Sequence, residues 1–327
     1  MKELYSLAIS ARATLDLHSL NNEGGEGNQT QTRMVNIVGE DGRLYNVNAI
    51  SGDMWKHIQA QHLFRLAVDR GAFPLCEACR RFDPNRISAD PDFIKVAEDK
   101  GVSDAAALDH LLAACGADDL EGNLITTGNR SLPRKSVVEF GWVVGLPEIT
   151  KTDSYFHVKY ATERGQQKRD EDASEEARRA NLGQAIFHRP ASSGVYALVL
   201  NLELARIGFN DITQTYAIDE EQRTIRHQTL LESVLYTLMQ PDGAMRNTQN
   251  PHLVAIEGVV STSESAVPAP NLSSLNSDYR QQLEEVVERL APLHKGSVSL
   301  HPFDSLSELV GVMGDLVQHT RPYTLHF

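Results

Sequence analysis

The chain contains few cysteines and no long hydrophobic run, and both absences narrow its class. Three cysteines among 327 residues are too few, and odd in number, for a disulfide scaffold, which fits a reducing cytoplasm. No apolar stretch approaches the length that crosses a bilayer, and residues 1–5 lack the charged-then-apolar layout of a signal peptide. We therefore expect a globular, cytoplasmic protein without a membrane partner.

Positive charge is also scarce. The chain has 31 basic against 44 acidic residues, and its net charge of −13 disfavours indiscriminate binding to nucleic acid. Most of the acidic excess lies in residues 71–126 and in the C-terminal third. Exposed charges farther apart than about 8–10 Å are largely screened, so a locally basic groove is compatible with an acidic chain.

One basic cluster lies in a turn. Arg130, Arg134 and Lys135 flank Pro133 there, and we expect all three side chains to be solvated.

Motifs for common catalytic chemistries are missing as well. The sequence shows no Ser/His/Asp arrangement, P-loop or glycine-rich nucleotide-binding pattern. We therefore expect a protein that binds rather than catalyses and that requires no cofactor.

Residues 28–66 carry the most specific pattern. An amide-rich loop leads into a strand, a GEDG turn at residues 39–42 leads into a second strand, and a helix follows residues 51–52. Loop glycines and a helix N-terminus offer main-chain N–H groups to a phosphate, cations supply charge, and neutral amides can reach sugars and base edges. The candidate RNA-binding residues here are Asn28, Gln29, Gln31, Arg33, Ser51, Gly52, Lys56 and His57.

A second polar loop follows a helix and adds Arg246, Asn247, Thr248 and Gln249 to the candidate RNA-binding residues. Each candidate also has an ordinary structural interpretation. Arg33 could be a surface strand residue, Lys56 and His57 could line a solvated helix face, and residues 246–249 could form a plain surface loop.

The order of these features resembles that of a known family. Gly-Asn at residues 27–28, Arg33, a Tyr-x-Val strand, Ala-Ile-Ser-Gly at residues 49–52 and a histidine-bearing helix look like the DevR/Csa-type backbone proteins of CRISPR effector complexes, within the Cas-seven superfamily. The resemblance is strongest over residues 1–66 and returns near residues 236–261. It implies a repeating subunit that binds guide RNA (crRNA) in type I Cascade. The implied partners are crRNA, the target DNA strand, further copies of itself and other Cascade subunits.

The hydrophobic pattern predicts an α+β fold. Strands are expected over residues 4–17, 137–146, 155–160, 195–205 and 253–261, and helices over residues 53–69, 104–114, 221–240, 278–290 and 305–318. Residues 4–17 are expected to be half-buried, residues 21–31 to form a loop, and residues 162–181 to form a mobile loop or hairpin tip. Taken alone, this order approximates βαββαβ, the ferredoxin-like class of the RNA-recognition motif.

The resemblance implies a modified RNA-recognition-motif palm with helical and β-hairpin finger and thumb insertions. Residues 1–70 would form the first part of the palm and residues 71–181 the inserted helical and finger region. Residues 182–261 would form the second part, with a thumb-like loop near 243–250, and residues 262–327 a C-terminal helical segment packed on the palm. The sequence lacks the aromatic array on which typical RNA-recognition motifs stack bases, so we expect binding led by the RNA backbone.

Cys76 and Cys79 have the spacing of two thiolate ligands of a tetrahedral zinc site, which Cys115 or His110 could complete. No second CxxC pair accompanies them. Three interpretations stay open: buried free thiols, a structural zinc that stabilises the insertion, and a thioredoxin-like redox pair. The acidic surroundings disfavour the redox pair because they raise thiol pKa values.

These features together predict a non-catalytic crRNA-binding backbone subunit. Some type III relatives cut RNA with an aspartate in the loop after the first strand. Here that loop carries Glu23 and Glu26, with Asp53 nearby, so a metal-dependent ribonuclease is one alternative. Another alternative is a zinc-bearing nucleic-acid-binding regulator or a regulator that prefers duplex DNA.

Overall fold

A computed structural model describes residues 1–160, 184–243 and 250–326. The strands are β1 (Lys2–Leu4), β2 (Ser6–His18), β3 (Asn22–Glu26), β4 (Gln29–Thr32), β5 (Met34–Val38), β6 (Leu44–Ile50), β7 (Asn123–Ile125), β8 (Leu132–Arg134), β9 (Val138–Phe140), β10 (Val143–Gly145), β11 (Lys151–Tyr160), β12 (Gln184–Leu202), β13 (Phe209–Asn210), β14 (Thr215–Tyr216), β15 (His252–Ser263), β16 (Val298–Phe303) and β17 (Thr320–Pro322). The α-helices are α1 (Gly52–Arg70), α2 (Glu77–Arg80), α3 (Pro91–Glu98), α4 (Asp104–Ala114), α5 (Gly116–Glu121), α6 (Glu220–Met239), α7 (Tyr279–His294) and α8 (Leu306–His319).

A large, mainly antiparallel sheet organises the fold, which confirms the α+β expectation. Its strands run in the order β16–β15–β2–β12–β10–β6–β5, with β3, β4, β9 and β11 attached to this path. The central strand β2 pairs antiparallel with β12 on one side and with β15 on the other. Helices α1, α6 and α8 contribute Trp55, Leu230 and Leu309 to the main hydrophobic core on one face of this sheet. In the described parts of the chain, no helix is long and apolar enough to span a membrane.

The central strand is buried on both faces, so the expectation of a half-buried strand is wrong. Its odd-numbered side chains, such as Leu7 and Ile9, belong to the main core. Three of its even-numbered polar side chains, those of Ser6, Ser10 and Arg12, bind the segment 267–276, which crosses the opposite face. Ser10 Oγ accepts from the backbone N–H of Leu272 at 3.1 Å, and Arg12 Nε donates to the carbonyl of Ser274 at 2.8 Å. Polar residues that alternate along a strand can therefore be satisfied by a covering segment as well as by water.

Other local predictions also need correction. The expected loop at residues 21–31 is the hairpin β3–β4, which turns at Gly27 with a φ of 62°. The expected strand at residues 137–146 divides into β9 and β10, because the register against β12 shifts by one residue between Phe140, opposite Leu200, and Val144, opposite Ala197. Strand β16 was not expected. Residues 162–181 lie outside the described residues.

The short helix α5 is a buried electrostatic centre. Asp119 accepts from Arg134 Nη2 at 2.6 Å and from Arg226 Nη1 at 2.7 Å, and all three side chains are fully buried. The backbone N–H of Gly208 donates to the same carboxylate. The expectation that Arg134 lies in a solvated turn is therefore wrong. Arg134 and Arg226 form buried ion pairs with Asp119, and these pairs connect β8 and α6 to α5.

This ion pair gives a prediction for stability. Changing Arg134→Met removes one partner of Asp119 and leaves a buried carboxylate with less compensation, so the free energy of unfolding should fall by about 3–5 kcal/mol. Lys135→Met is the matched control, because Lys135 binds Glu203 at a similar distance, 2.7 Å, but with both side chains exposed. Its cost should stay below about 1 kcal/mol in the same urea titration. Equal costs for the two variants would show that Asp119 does not need both arginines.

Candidate nucleic-acid interface

The hairpin β3–β4 presents the predicted amide side chains to solvent. Asn28, Gln29 and Gln31 are exposed. The tip of the hairpin is held to the sheet, since the backbone N–H of His188 in β12 donates to the carbonyl of Asn28 at 2.9 Å. The amides are thus displayed on an anchored ribbon rather than on a free loop, and their contact with RNA stays a prediction.

A buried asparagine joins this hairpin to the first helix. The side-chain oxygen of Asn21 accepts from the backbone N–H of Ser51 at 2.8 Å, and its carbonyl accepts from Thr32 Oγ1 at 3.0 Å. Asn48 donates to the same Thr32 hydroxyl at 3.1 Å and accepts from the Tyr196 hydroxyl at 2.9 Å. This network fixes the position of β4 relative to the N-terminus of α1. The sequence interpretation did not include Asn21, because one asparagine before a polar stretch carries no distinctive pattern.

The N-terminus of α1 is rigidly placed against the sheet. Ser51 caps the helix by accepting from the backbone N–H of Met54 at 3.2 Å. A Cβ at Gly52 would lie only 2.3 Å from the carbonyl oxygen of Phe140, so the helix can begin at this place only with glycine. The first N–H groups of a helix have no intrahelical partner and can donate to an anion.

The two cationic candidates on α1 differ in their surroundings. Lys56 is half-buried and its ammonium donates to the carbonyl of Glu121 at 2.8 Å, at the end of α5. Burial lowers the pKa of Lys56. Arg86 donates to the next carbonyl, that of Gly122. Lys56 therefore joins α1 to α5 in this conformation, whereas His57 is exposed.

Arg33 follows β4 and lies over an aromatic ring. Its guanidinium carbon is 5.5 Å from the ring centroid of Trp142, within the range of a cation–π contact. Trp142 is 44% exposed, in the break between β9 and β10. The sequence interpretation missed Trp142 because it stands in an apolar run that predicts a continuous strand. The other loop candidates, Arg246, Asn247, Thr248 and Gln249, lie outside the described residues.

Three cysteines and one aspartate form a compact cluster in the helical region. The ligand atoms of Cys76, Cys79, Cys115 and Asp118 all lie within 4.8 Å of one another, and the four residues are buried. Oδ2 of Asp118 is 3.3 Å from Cys79 Sγ and 3.8 Å from Cys76 Sγ. A tetrahedral zinc with ordinary bond lengths separates sulfur and oxygen ligands by about 3.6 Å, so this set could hold a metal.

The surroundings of the cluster support that interpretation. The second oxygen of Asp118 accepts from Asn123 Nδ2 at 2.8 Å and from the backbone N–H of Ile87 at 3.4 Å. Such bonds orient a metal-binding carboxylate. Without a metal, burial raises the pKa of Asp118 to about 8 and also raises that of Cys115, so a bound metal would displace the protons of both groups. His110, the other residue that the spacing allowed, is exposed and is not a member of the cluster.

Comparison with known proteins places the chain in a family. A model of the family described as CRISPR-associated negative auto-regulator DevR/Csa2 matches residues 9–284. The chain belongs to the DevR/Csa2 family. A curated relative, CRISPR-associated protein Cas7/Cst2/DevR of Methanocaldococcus jannaschii, is 24% identical over 296 residues, which cover 88% of this chain and 90% of that protein.

One solved structure shares the fold of this DevR/Csa2-family chain. A chain of the structure named CRISPR RNA-guided surveillance complex, pre-nicking, superposes with a TM-score of 0.53 at 13% identity, over 96% of this chain and 99% of that chain. A chain of a CRISPR RNA-guided surveillance complex gives a TM-score of 0.48 at 14% identity, over 96% and 98% of the two chains. The first likeness shows a shared fold over nearly the whole chain.

The tight contact at Gly52 can be tested by one substitution. Gly52→Ala puts a methyl group against the Phe140 carbonyl and should lower the free energy of unfolding by about 1–3 kcal/mol. Gly311→Ala is the control, because Gly311 lies in α8 and a Cβ there meets nothing within 4 Å. That variant should gain about 0.5–1 kcal/mol from helix propensity. A Gly52→Ala protein as stable as the parent would mean that α1 does not begin where we describe it.

Proposed function

We propose that this DevR/Csa2-family chain is a non-catalytic backbone subunit of a type I CRISPR Cascade complex in the cytoplasm. Several copies would assemble along one crRNA, each holding a short stretch and leaving its bases free to pair with a target DNA strand. The observation that carries the proposal is the network around Asn21, which brings an exposed amide hairpin, Arg33 and the N-terminus of α1 to one surface. On that surface Arg33 and the first N–H groups of α1 would bind phosphate, and the amide side chains would bind sugars and base edges.

The strand order supports a modified RNA-recognition-motif palm. In a βαββαβ unit of this class, the first strand lies between the third and the fourth, and the second lies beyond the third. The order β15–β2–β12–β10, with α1 and α6 as the helices, has this arrangement. In this proposal residues 1–70 and 182–261 form the palm, residues 71–181 form the insertion, residues 243–250 form the thumb-like loop, and residues 262–327 pack on the palm.

The covered face of the sheet explains why RNA would bind at the hairpin. Typical RNA-recognition motifs stack bases on the sheet face opposite to their helices. In this chain the segment 267–276 occupies that face over β2 through hydrogen bonds to Ser10 and Arg12. RNA would therefore follow the hairpin β3–β4 and the start of α1, with Lys56 and His57 nearby, and residues 246–249 would contact the neighbouring stretch of RNA.

The contribution of Arg33 can be measured by RNA retention. After expression with a CRISPR array, the Arg33→Ala variant should retain less crRNA, and its affinity should depend less steeply on salt, by about 0.7 in the logarithmic slope for one lost phosphate contact. Lys100→Ala, which removes an exposed cation from the loop before α4, should change neither quantity. Preferential binding of the wild-type protein to duplex DNA would favour the regulator instead. Unchanged retention by Arg33→Ala would contradict the interface.

Absence of catalysis is part of the proposal and has its own discriminating assay. Labelled RNA incubated with the protein and Mg²⁺ should remain intact. Cleavage that disappears in the Glu26→Ala variant would favour the alternative of a metal-dependent ribonuclease.

A structural zinc is the cofactor that the cysteine cluster fits best. Cys76, Cys79, Cys115 and Asp118 would hold it, and the ion would tie α2 to α5 and contribute only to folding. Purified protein should contain about one zinc per chain by elemental analysis, and Asp118→Ala should lower that content while His110→Ala leaves it unchanged. A chelator should lower the melting temperature. Metal-free protein whose melting temperature ignores both zinc and chelator would instead identify the cluster as buried thiols.

A further inference from the structure

Trp142 is held at the centre of the candidate interface. Strand β10 pairs with β6 so that Val143 lies opposite Ile50, and the same antiparallel register places Trp142 opposite Ser51, the N-cap of α1. On the other side of β6, the backbone N–H of Ala49 donates to the carbonyl of Arg33 at 3.0 Å. Arg33 and Trp142 therefore lie on opposite sides of the end of β6. Their side chains are in contact, with the guanidinium carbon of Arg33 at 5.5 Å from the ring centroid of Trp142.

The backbone around this pair is fixed. Gly141 donates its N–H to Val199 at 2.9 Å, and a Cβ at Gly141 would lie 2.6 Å from a methyl carbon of Val199. The start of α1 packs against the adjacent Phe140 carbonyl. The fixed backbone and the contact with Arg33 restrict the Trp142 ring, which reduces the entropy that the ring would lose on binding a partner. Nearly half of the surface of Trp142 is nevertheless exposed.

We propose that Trp142 stacks one base of the bound RNA, while Arg33 and the first N–H groups of α1 hold the adjacent phosphate. This inference rests on the proposed function and adds a base contact to an interface otherwise led by the RNA backbone. Stacking on an indole tolerates any base, which suits a guide whose sequence varies. The neighbouring guanidinium strengthens such a platform through its own contact with π systems.

Fluorescence gives a direct readout, because the chain has two tryptophans and the other, Trp55, is buried in the core. In a Trp55→Phe background, single-stranded RNA should quench the emission of Trp142. An oligonucleotide of the same length without bases should bind through its phosphates without quenching. If Trp55→Phe fails to fold, comparison of the wild type with Trp142→Phe yields the same signal by difference.

Affinity measurements separate stacking from charge. Trp142→Ala should weaken RNA binding by about 5- to 150-fold, the range for loss of one stacked base, with an unchanged salt slope. Trp142→Phe should recover most of the affinity, and Leu293→Ala, at a 72% exposed apolar residue of α7, should have no effect. Arg33→Ala should instead reduce the salt slope.

The possible failures are distinct. If the wild-type protein binds RNA while Trp142 is unquenched, or while Trp142→Ala binds as tightly, stacking is wrong and the backbone-subunit function stands. If Trp142 is quenched by self-association without RNA, and Trp142→Ala blocks that association, the residue is a protein contact and stacking is again wrong. If the wild-type protein binds no single-stranded RNA, the proposed function itself fails.

Discussion

The buried acidic helix α5 is the constraint on which the surrounding structure depends. Within six residues, Asp118 belongs to the cysteine cluster, Asp119 forms ion pairs with two core arginines, and the carbonyl of Glu121 accepts from Lys56. Charges this deeply buried are tolerated only when their partners are fixed, and fixing them ties α1, α2, α6 and β8 to one short helix. These contacts hold α5 and the helices around it in fixed positions, and Lys56 connects them to the first turns of α1.

The candidate interface is also held by specific contacts. Asn21 connects the hairpin β3–β4 to Ser51, and Gly52 allows α1 to approach the carbonyl of Phe140. The segment 267–276 covers the sheet over β2, and the exposed candidate RNA-binding groups lie at the hairpin β3–β4 instead. An acidic chain can present such a surface to RNA, since its excess carboxylates are concentrated in other segments and surface charges are screened by salt.

The sequence predicted long elements well because their hydrophobic periods are clear, as in β2, α1 and α6. It also pointed to Cys76, Cys79 and Cys115 as one cluster, although Asp118 and the exclusion of His110 depend on how α5 folds back. The hairpin at residues 21–31 was missed because a two-faced polar strand has no apolar period. Arg134 looked solvated because its partner Asp119 is distant in sequence and meets it only through tertiary packing. Trp142 was missed because the register shift between β9 and β10 arises from their pairing with β12, which an apolar run does not reveal.

The most direct test of the account is to map where RNA touches the chain in the native assembly. Ultraviolet cross-linking of complexes purified after expression with a CRISPR array, followed by peptide mass spectrometry, would identify the contacting peptides. We predict cross-links to the hairpin β3–β4, to the segment around Trp142 and to the first turn of α1. Cross-links confined to α7, to β16 or to the segment 267–276, with none at the hairpin, would contradict the account.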